Sequence, residues 1–154
     1  MTDHSSPLRA FFANYPQFDY NPAGSPVNEF RRMRRDFPLL VPRGRNAAFR
    51  SALTNEFNWK YGTDVTKLES WQSLCRTVGI APIPDTVTQC RKAVASVHIN
   101  LVDLIDPSLV DEVRTFPSVH ELAAYTRETK KFFPKNEAKA GGVLKALLRG
   151  IFRN

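Results

Sequence analysis

Long apolar runs are missing from this chain, and so is the pattern of a secretory signal. No stretch approaches the roughly 20 consecutive apolar residues that span a bilayer. Asp3 stands where a signal peptide would be basic, and no apolar segment follows it. We therefore expect an intracellular protein without a transmembrane segment, located in the cytoplasm or the nucleus.

Cysteine and histidine are scarce. The 154 residues include two cysteines, Cys75 and Cys90, and three histidines. None of them stands at the CxxC or HxxxH spacing of a zinc site, so we predict neither a metal nor another cofactor. Both cysteines lie in apolar helical patterns, where a free cysteine is usually a small core residue.

Motifs of catalysis are missing as well. The chain has no glycine-rich phosphate loop and no GxSxG nucleophile elbow. His98 with Asp103 and His120 with Glu121 are the nearest approach to acid–base pairs, but at these spacings the side chains diverge or lie at a helix cap. We predict a protein that is not an enzyme; an enzyme without a familiar signature is the alternative.

Positive charge, in contrast, is abundant and unevenly distributed. The net charge is +7; residues 31–50 and 127–154 each carry +6, and the remaining residues sum to −5. Such concentration suits a surface that binds a polyanion, because each phosphate contact releases counterions. A solvated face that keeps the protein soluble is the alternative.

Apolar residues recur at spacings of three and four along most of the chain, which predicts an all-α fold. We expect one compact domain of six to eight helices over residues 26–154. Residues 1–25 are rich in proline and aromatic residues, and we expect one short helical turn followed by an extended arm that packs across the helical body.

Caps and helix-breaking residues predict where these helices begin and end. The first starts at Ser25–Pro26 and stops before Pro38. Ser118 and Glu121 form a capping box at the start of another. The predicted helices cover about 45–61, 64–78, 86–105, 119–130 and 136–152.

The segment 86–105 has two interpretations. Val87, Cys90, Val94, Val97 and Leu101 continue a three-four repeat, which favours a long central helix capped by Asp85. Residues 94–105 also contain an alternation of β-branched and polar residues that is typical of a strand. Helix is the favoured interpretation.

The last predicted helix is amphipathic and basic. Lys145 and Arg149 lie four residues apart on one face, and Gly141-Gly142 weakens the helix near its middle. Such a helix occurs as a partner ligand or at membrane surfaces, so a protein partner or peripheral membrane contact stays open. The apolar residues that would bind a partner are Leu147, Leu148, Ile151 and Phe152.

Three motifs together resemble a group of small uncharacterised fungal proteins. The first, FFxxYPxFxYxP, covers Phe11 to Pro22; the second, WQxLC, covers Trp71 to Cys75 and is followed by the PxP of IAPIP; the third, LLRxIF, covers Leu147 to Phe152. The resemblance extends over most of the chain, although PLLVPRGRN is shorter than the matching stretch. It implies a fungal origin and a shared fold, and it supplies no activity and no catalytic residue.

These observations favour a non-enzymatic binding protein whose ligand is nucleic acid or another polyanion. A protein-interaction or regulatory module that uses the aromatic arm or the C-terminal helix is the alternative. The basic residues predicted to contact phosphates are Arg31, Arg32, Arg34, Arg35, Arg43, Arg45, Lys145 and Arg149.

Overall fold

The computed structural model describes residues 6–41, 46–109, 113–135 and 140–151. This part of the chain contains seven α-helices and one two-stranded antiparallel sheet, which confirms a single all-α domain of six to eight helices. The helices are α1 (Pro7–Ala13), α2 (Pro26–Asp36), α3 (Ala47–Tyr61), α4 (Leu68–Thr77), α5 (Val87–Ala95), α6 (Val119–Thr129) and α7 (Gly142–Ile151). The strands are β1 (His98–Ile99) and β2 (Thr115–Phe116).

The first aromatic residues of the chain lie in the core. Ser6 caps α1 by accepting from the Arg9 amide, and Pro7 occupies the first helical turn. Phe11 and Phe12 are 5% and 2% exposed, and α1 packs along α3. This segment therefore contributes core volume to the helical body.

A stacked pair of rings joins α2 to the same cluster. Phe30 and Phe49 lie parallel with their centroids 4.2 Å apart, and the Phe11 ring is 5.4 Å from that of Phe49. Glu56 in α3 also binds α1, because its Oε1 accepts the Leu8 amide at 3.0 Å. Aromatic packing and one buried polar contact thus hold α1, α2 and α3 together.

The prediction of one long helix over 86–105 is wrong beyond Ala95, where helix α5 ends. Helix α5 starts after Thr86, not Asp85, since the Thr86 hydroxyl accepts the Gln89 amide. The chain then forms β1, in which His98 pairs with Phe116 and Ile99 with Thr115. The β-branched alternation that favoured a strand therefore marks a true strand, although one of only two residues.

Asn100 ends the extended segment after β1. Its Oδ1 accepts the Val102 amide at 2.9 Å, and its Nδ2 donates to Thr126 Oγ1 and to the Lys131 carbonyl at 3.0 Å each. Local bonds of this kind compete with helical ones. Two short 3₁₀ turns, Asp103–Ile105 and Pro107–Leu109, follow in place of the expected helix.

Helix α7 begins at Gly142. The sequence pattern had placed Gly141 and Gly142 near the weakened middle of a longer helix. The Gly141 amide donates to Asn58 Oδ1 at 3.1 Å, and the Gly142 amide donates to the Thr63 carbonyl at 2.9 Å. A Cβ on Gly141 would lie 2.6 Å from Thr63 Cβ. The two glycines therefore permit α7 to approach the turn after α3 closely.

Candidate ligand-binding groove

A groove of about 670 Å³ lies between α5, β1, the start of α6 and α7. Its walls are mostly aliphatic, with branched side chains from each of these elements. The apolar lining residues include Val65, Val94, Val97, Ile99, Val119, Leu122, Ala146 and Leu147. Pockets that enclose small ligands usually measure about 300–1,000 Å³ and have this apolar character.

Basic side chains from three elements surround the groove. Arg91 and Lys92 come from α5, Lys145 and Arg149 from α7, and His98 from β1. Lys145 and Arg149 are four residues apart, so one face of α7 presents both. The opposite face of the helix is buried in the core, with Val143 and Leu144 fully covered. Amphipathicity of α7 thus places its cations at the groove.

Among the described residues that line the groove, none is an aspartate or a glutamate. Within the described residues, no carboxylate lies within ion-pair distance of Arg91, Lys92 or Lys145. Arg91, Lys92 and Lys145 bring like charges from two helices to one concavity, and such convergence of positive charge favours the binding of anions.

Trp71 is a buried residue in the lining of the groove. Its side chain is 1% exposed, and its indole nitrogen donates to the Val65 carbonyl at 2.9 Å. The guanidinium carbon of Arg91 lies 5.4 Å from the centroid of the ring. This cation–π contact fixes Arg91 above a buried aromatic ring at the edge of the groove.

The arginines of α2 do not line this groove. Arg32 donates to both Glu29 carboxylate oxygens and to the Asp19 carbonyl, and Arg35 pairs with Asp36 at 3.0 Å. Arg34 lies over the Phe30 ring at 5.3 Å, and Arg31 is exposed. Arg32 and Arg35 are therefore each matched by a carboxylate on the same helix. Arg43 and Arg45 lie outside the described residues.

The apolar residues predicted to bind a partner have separate positions. Leu147 and Leu148 are 6% and 3% exposed and belong to the core, with Leu147 also reaching the groove. Phe152 and the side chain of Ile151 lie outside the described part of the chain.

Arg91 and Lys92 are functional candidates that sequence reasoning missed, whereas the sequence presents His98 only as a possible acid–base partner of Asp103. Residues 51–126 carry a net charge of −3, so this region attracts no attention as a basic segment. The one signal present was the adjacent pair Arg91-Lys92, which contrasts with the isolated basic residues elsewhere in that stretch.

A second polar cluster lies at the other end of the 98–109 segment. Asp103 is 1% exposed; its Oδ1 accepts from Lys131 Nζ and its Oδ2 from the Tyr125 hydroxyl, each at 2.8 Å. Asp106 is 2% exposed, and its Oδ2 has no hydrogen-bond partner but lies 3.9 Å from Lys131 Nζ. This arrangement attaches the end of α6 to the 3₁₀ turns.

The two cysteines are fully buried and free. Cys75 Sγ donates to the Cys90 carbonyl at 3.8 Å, and Cys90 Sγ donates to the Pro84 carbonyl at 3.4 Å. Burial, reinforced by the neighbouring Cys90, raises the pKa of Cys75 to about 12. Over the described ranges, no three His, Cys, Asp or Glu side chains are grouped so as to hold a metal ion.

By fold, the chain is an all-α protein of one domain with a basic, apolar-walled groove. No protein-family model, no curated protein sequence and no solved structure matches it. The resemblance to small fungal proteins therefore stays a prediction. Within the described residues, every helix is too short or too polar to cross a membrane.

Proposed function

We propose that this chain is a binding protein that holds an anionic ligand in the groove between α5 and α7. The observation that carries the proposal is the lining itself: four Lys and Arg side chains and His98 surround one concavity, and none of the other described lining residues is a carboxylate. Nucleic acid, the polyanion favoured by the charge distribution, is one ligand of this class.

The arrangement favours anions for a physical reason. Cations held at fixed positions on two packed helices repel one another, and an anion between them relieves that repulsion. Aliphatic walls lower the local dielectric constant, which strengthens each attraction. The α2 arginines support the proposal less, because Arg32 and Arg35 already have carboxylate partners.

A salt-series titration with labelled single-stranded DNA, duplex DNA and RNA tests the proposal. The groove variant is Lys92→Gln/Lys145→Gln, and the control is Arg31→Gln/Arg35→Gln on α2, which removes the same charge outside the groove. If phosphates bind in the groove, the slope of log K against log salt falls by about 0.7–0.9 for each phosphate that the groove variant no longer neutralises. The control retains the wild-type slope.

Equal losses of affinity in both variants would mean that nucleic acid senses only the net charge, and a loss confined to the control would place phosphates on α2. Either result contradicts nucleic-acid binding in the groove. The same two variants are then titrated with smaller anions. There, only a loss of affinity confined to the groove variant supports the proposal.

A further inference from the structure

We infer that the ligand of the groove is a small amphiphile with one aliphatic chain that ends in a phosphate or carboxylate, bound as a free monomer. This inference rests on the proposed function and names the class of anion. It follows from three features of the lining: the type of apolar surface, the position of the charges and the volume.

The apolar surface is aliphatic. Val97, Leu122 and Ala146 are half-buried and line the groove, while Val119 at its rim is 45% exposed. Among the described residues of the lining, Trp71 is the one Phe, Tyr or Trp side chain, and it is 1% exposed with Arg91 above its ring. Single-stranded nucleic acids are held by open aromatic faces on which bases stack. Apart from the half-buried His98 imidazole, the described lining offers no such face, whereas methylene groups pack well against branched aliphatic side chains.

The charges define the other end of the ligand. Lys145 from α7 and Lys92 from α5 both line the groove. We therefore expect a single anionic head to contact cations from both helices. A phosphate or carboxylate gains from such charge-assisted hydrogen bonds, and a cationic head of equal size is repelled. Charge complementarity therefore selects an anion, and the aliphatic walls select its chain.

The volume limits the ligand to one small molecule. About 670 Å³ falls within the range of about 300–1,000 Å³ for pockets that enclose most of a small ligand. Each methylene that enters such a site should tighten binding about fourfold until the groove is filled. Chain length is therefore the variable that distinguishes this ligand class from other anions.

Binding is measured by tryptophan fluorescence in the full chain. The sequence has two tryptophans, and Trp59 lies outside the groove, so Trp59→Phe leaves Trp71 as the reporter. The probes are octyl, decyl and dodecyl phosphate below their critical micelle concentrations. Three further compounds are the control ligands. Inorganic phosphate has the anionic head without a chain, dodecanol has the chain without a charge, and dodecyltrimethylammonium has the chain with a positive charge. Calorimetry on the unsubstituted chain confirms the affinities.

Two variants on α6 test the location. Val119→Glu adds a carboxylate at the rim of the groove, and Ala124→Glu adds the same charge on the same helix at an exposed residue outside the lining. We expect affinity for dodecyl phosphate to fall at least tenfold in Val119→Glu and to stay within twofold in Ala124→Glu. Both positions are exposed, so both variants should fold, and thermal melts verify it.

Saturable binding that strengthens with chain length, requires the anionic head and weakens only in Val119→Glu is the expected result. If nucleic acid or inorganic phosphate binds in the groove and chain length has no effect, the inference is wrong and the proposed function stands. Equal affinity for the cationic amphiphile, or binding to anionic vesicles without binding of monomers, also overturns it. If no anion responds to the groove variants, both proposals are wrong.

Discussion

The ammonium nitrogen of Lys131 lies 2.8 Å from Oδ1 of Asp103, whose side chain is fully buried, and the Lys131 side chain is only 11% exposed. The Tyr125 hydroxyl bridges the two, because it accepts from Lys131 and donates to Asp103. This triad joins Tyr125 in α6 and Lys131, the residue after the α6 cap Lys130, to the 3₁₀ turn of Asp103–Ile105. The triad therefore holds α6 against the rest of the domain together with the contacts of α6 with β1 and β2.

Replacing Lys131 with methionine should lower the free energy of unfolding by about 3 kcal/mol. The change leaves the Asp103 charge buried with one hydrogen-bond donor in place of two, and removing one partner of a buried ion pair is strongly destabilising. Urea denaturation measures the loss. Lys130→Met, at an exposed neighbouring residue, serves as the control, and equal losses in the two variants would contradict a special role for the buried pair.

Replacing Lys130 with glycine should raise the free energy of unfolding by about 1 kcal/mol. Lys130 caps the end of α6 with a φ of 62°, a left-handed conformation that costs L-residues about 1–2 kcal/mol and glycine nothing. Arg127→Gly, inside the same helix, should instead lose about 1 kcal/mol. Thermal melts compare the two, and a loss at both positions would refute the assigned strain.

Replacing Gly141 with alanine tests whether this residue lies inside a helix, as the sequence predicts, or against Thr63, as in the structure. The two positions predict changes of opposite sign in the free energy of unfolding. In the middle of a helix, this change would stabilise the protein by about 1 kcal/mol. In the structure the new Cβ would meet Thr63, so we expect a loss of about 2 kcal/mol from overpacking. Gly24→Ala, whose Cβ would have ordinary contacts of 3.4 Å, is the control. Chemical denaturation gives both values.

Tyr61 should make stability fall as the pH rises from about 10 to 12. Burial raises the pKa of Tyr61 from 10.0 to about 12, and its hydroxyl donates to the Leu104 carbonyl. Between these values the unfolded chain loses the proton and the folded chain keeps it, so the stabilisation is complete below pH 10 and is lost as pH rises through 12. The loss should amount to about 2–3 kcal/mol.

Tyr61→Phe provides the matched comparison for this pH dependence. The variant loses about 1 kcal/mol at neutral pH because the Leu104 carbonyl loses a donor, and its stability should then decline less steeply between pH 10 and 12. Denaturation at a series of pH values measures both slopes. Parallel curves for the two proteins would assign the alkaline loss to other groups.

Several helices could be read from the chain because their signals are local. Pro26 and Pro38 bracket α2, and Ser118 accepts the Glu121 amide at 3.2 Å as the predicted cap of α6. The spacing of Phe49, Leu53, Phe57 and Tyr61 likewise located α3, and all four are buried. Repeats and caps act over one or two turns, so the sequence order already contains the interacting groups.

The structure of the segment after α5 could not be predicted from such local signals. Its apolar repeat continues through Val97 and Leu101, yet β1 finds its partner β2 16 or more residues further along the chain. Asn100 is satisfied by Thr126 and by the carbonyl of Lys131. A local repeat does not show which distant group will satisfy a backbone or amide donor.

Composition and short-range spacing thus account for the helical class, most helix ends and the excess of positive charge. The packing of α5 against α7 decided which charges share the groove. It brings Arg91 and Lys92 into the same lining as Lys145 and Arg149, which lie more than 50 residues further along the chain. The same folding left Arg32 paired with Glu29 on its own helix. Charge counts along a chain are local sums, whereas a binding site is made by side chains that meet through long-range contacts, and burial of the apolar faces sets those contacts.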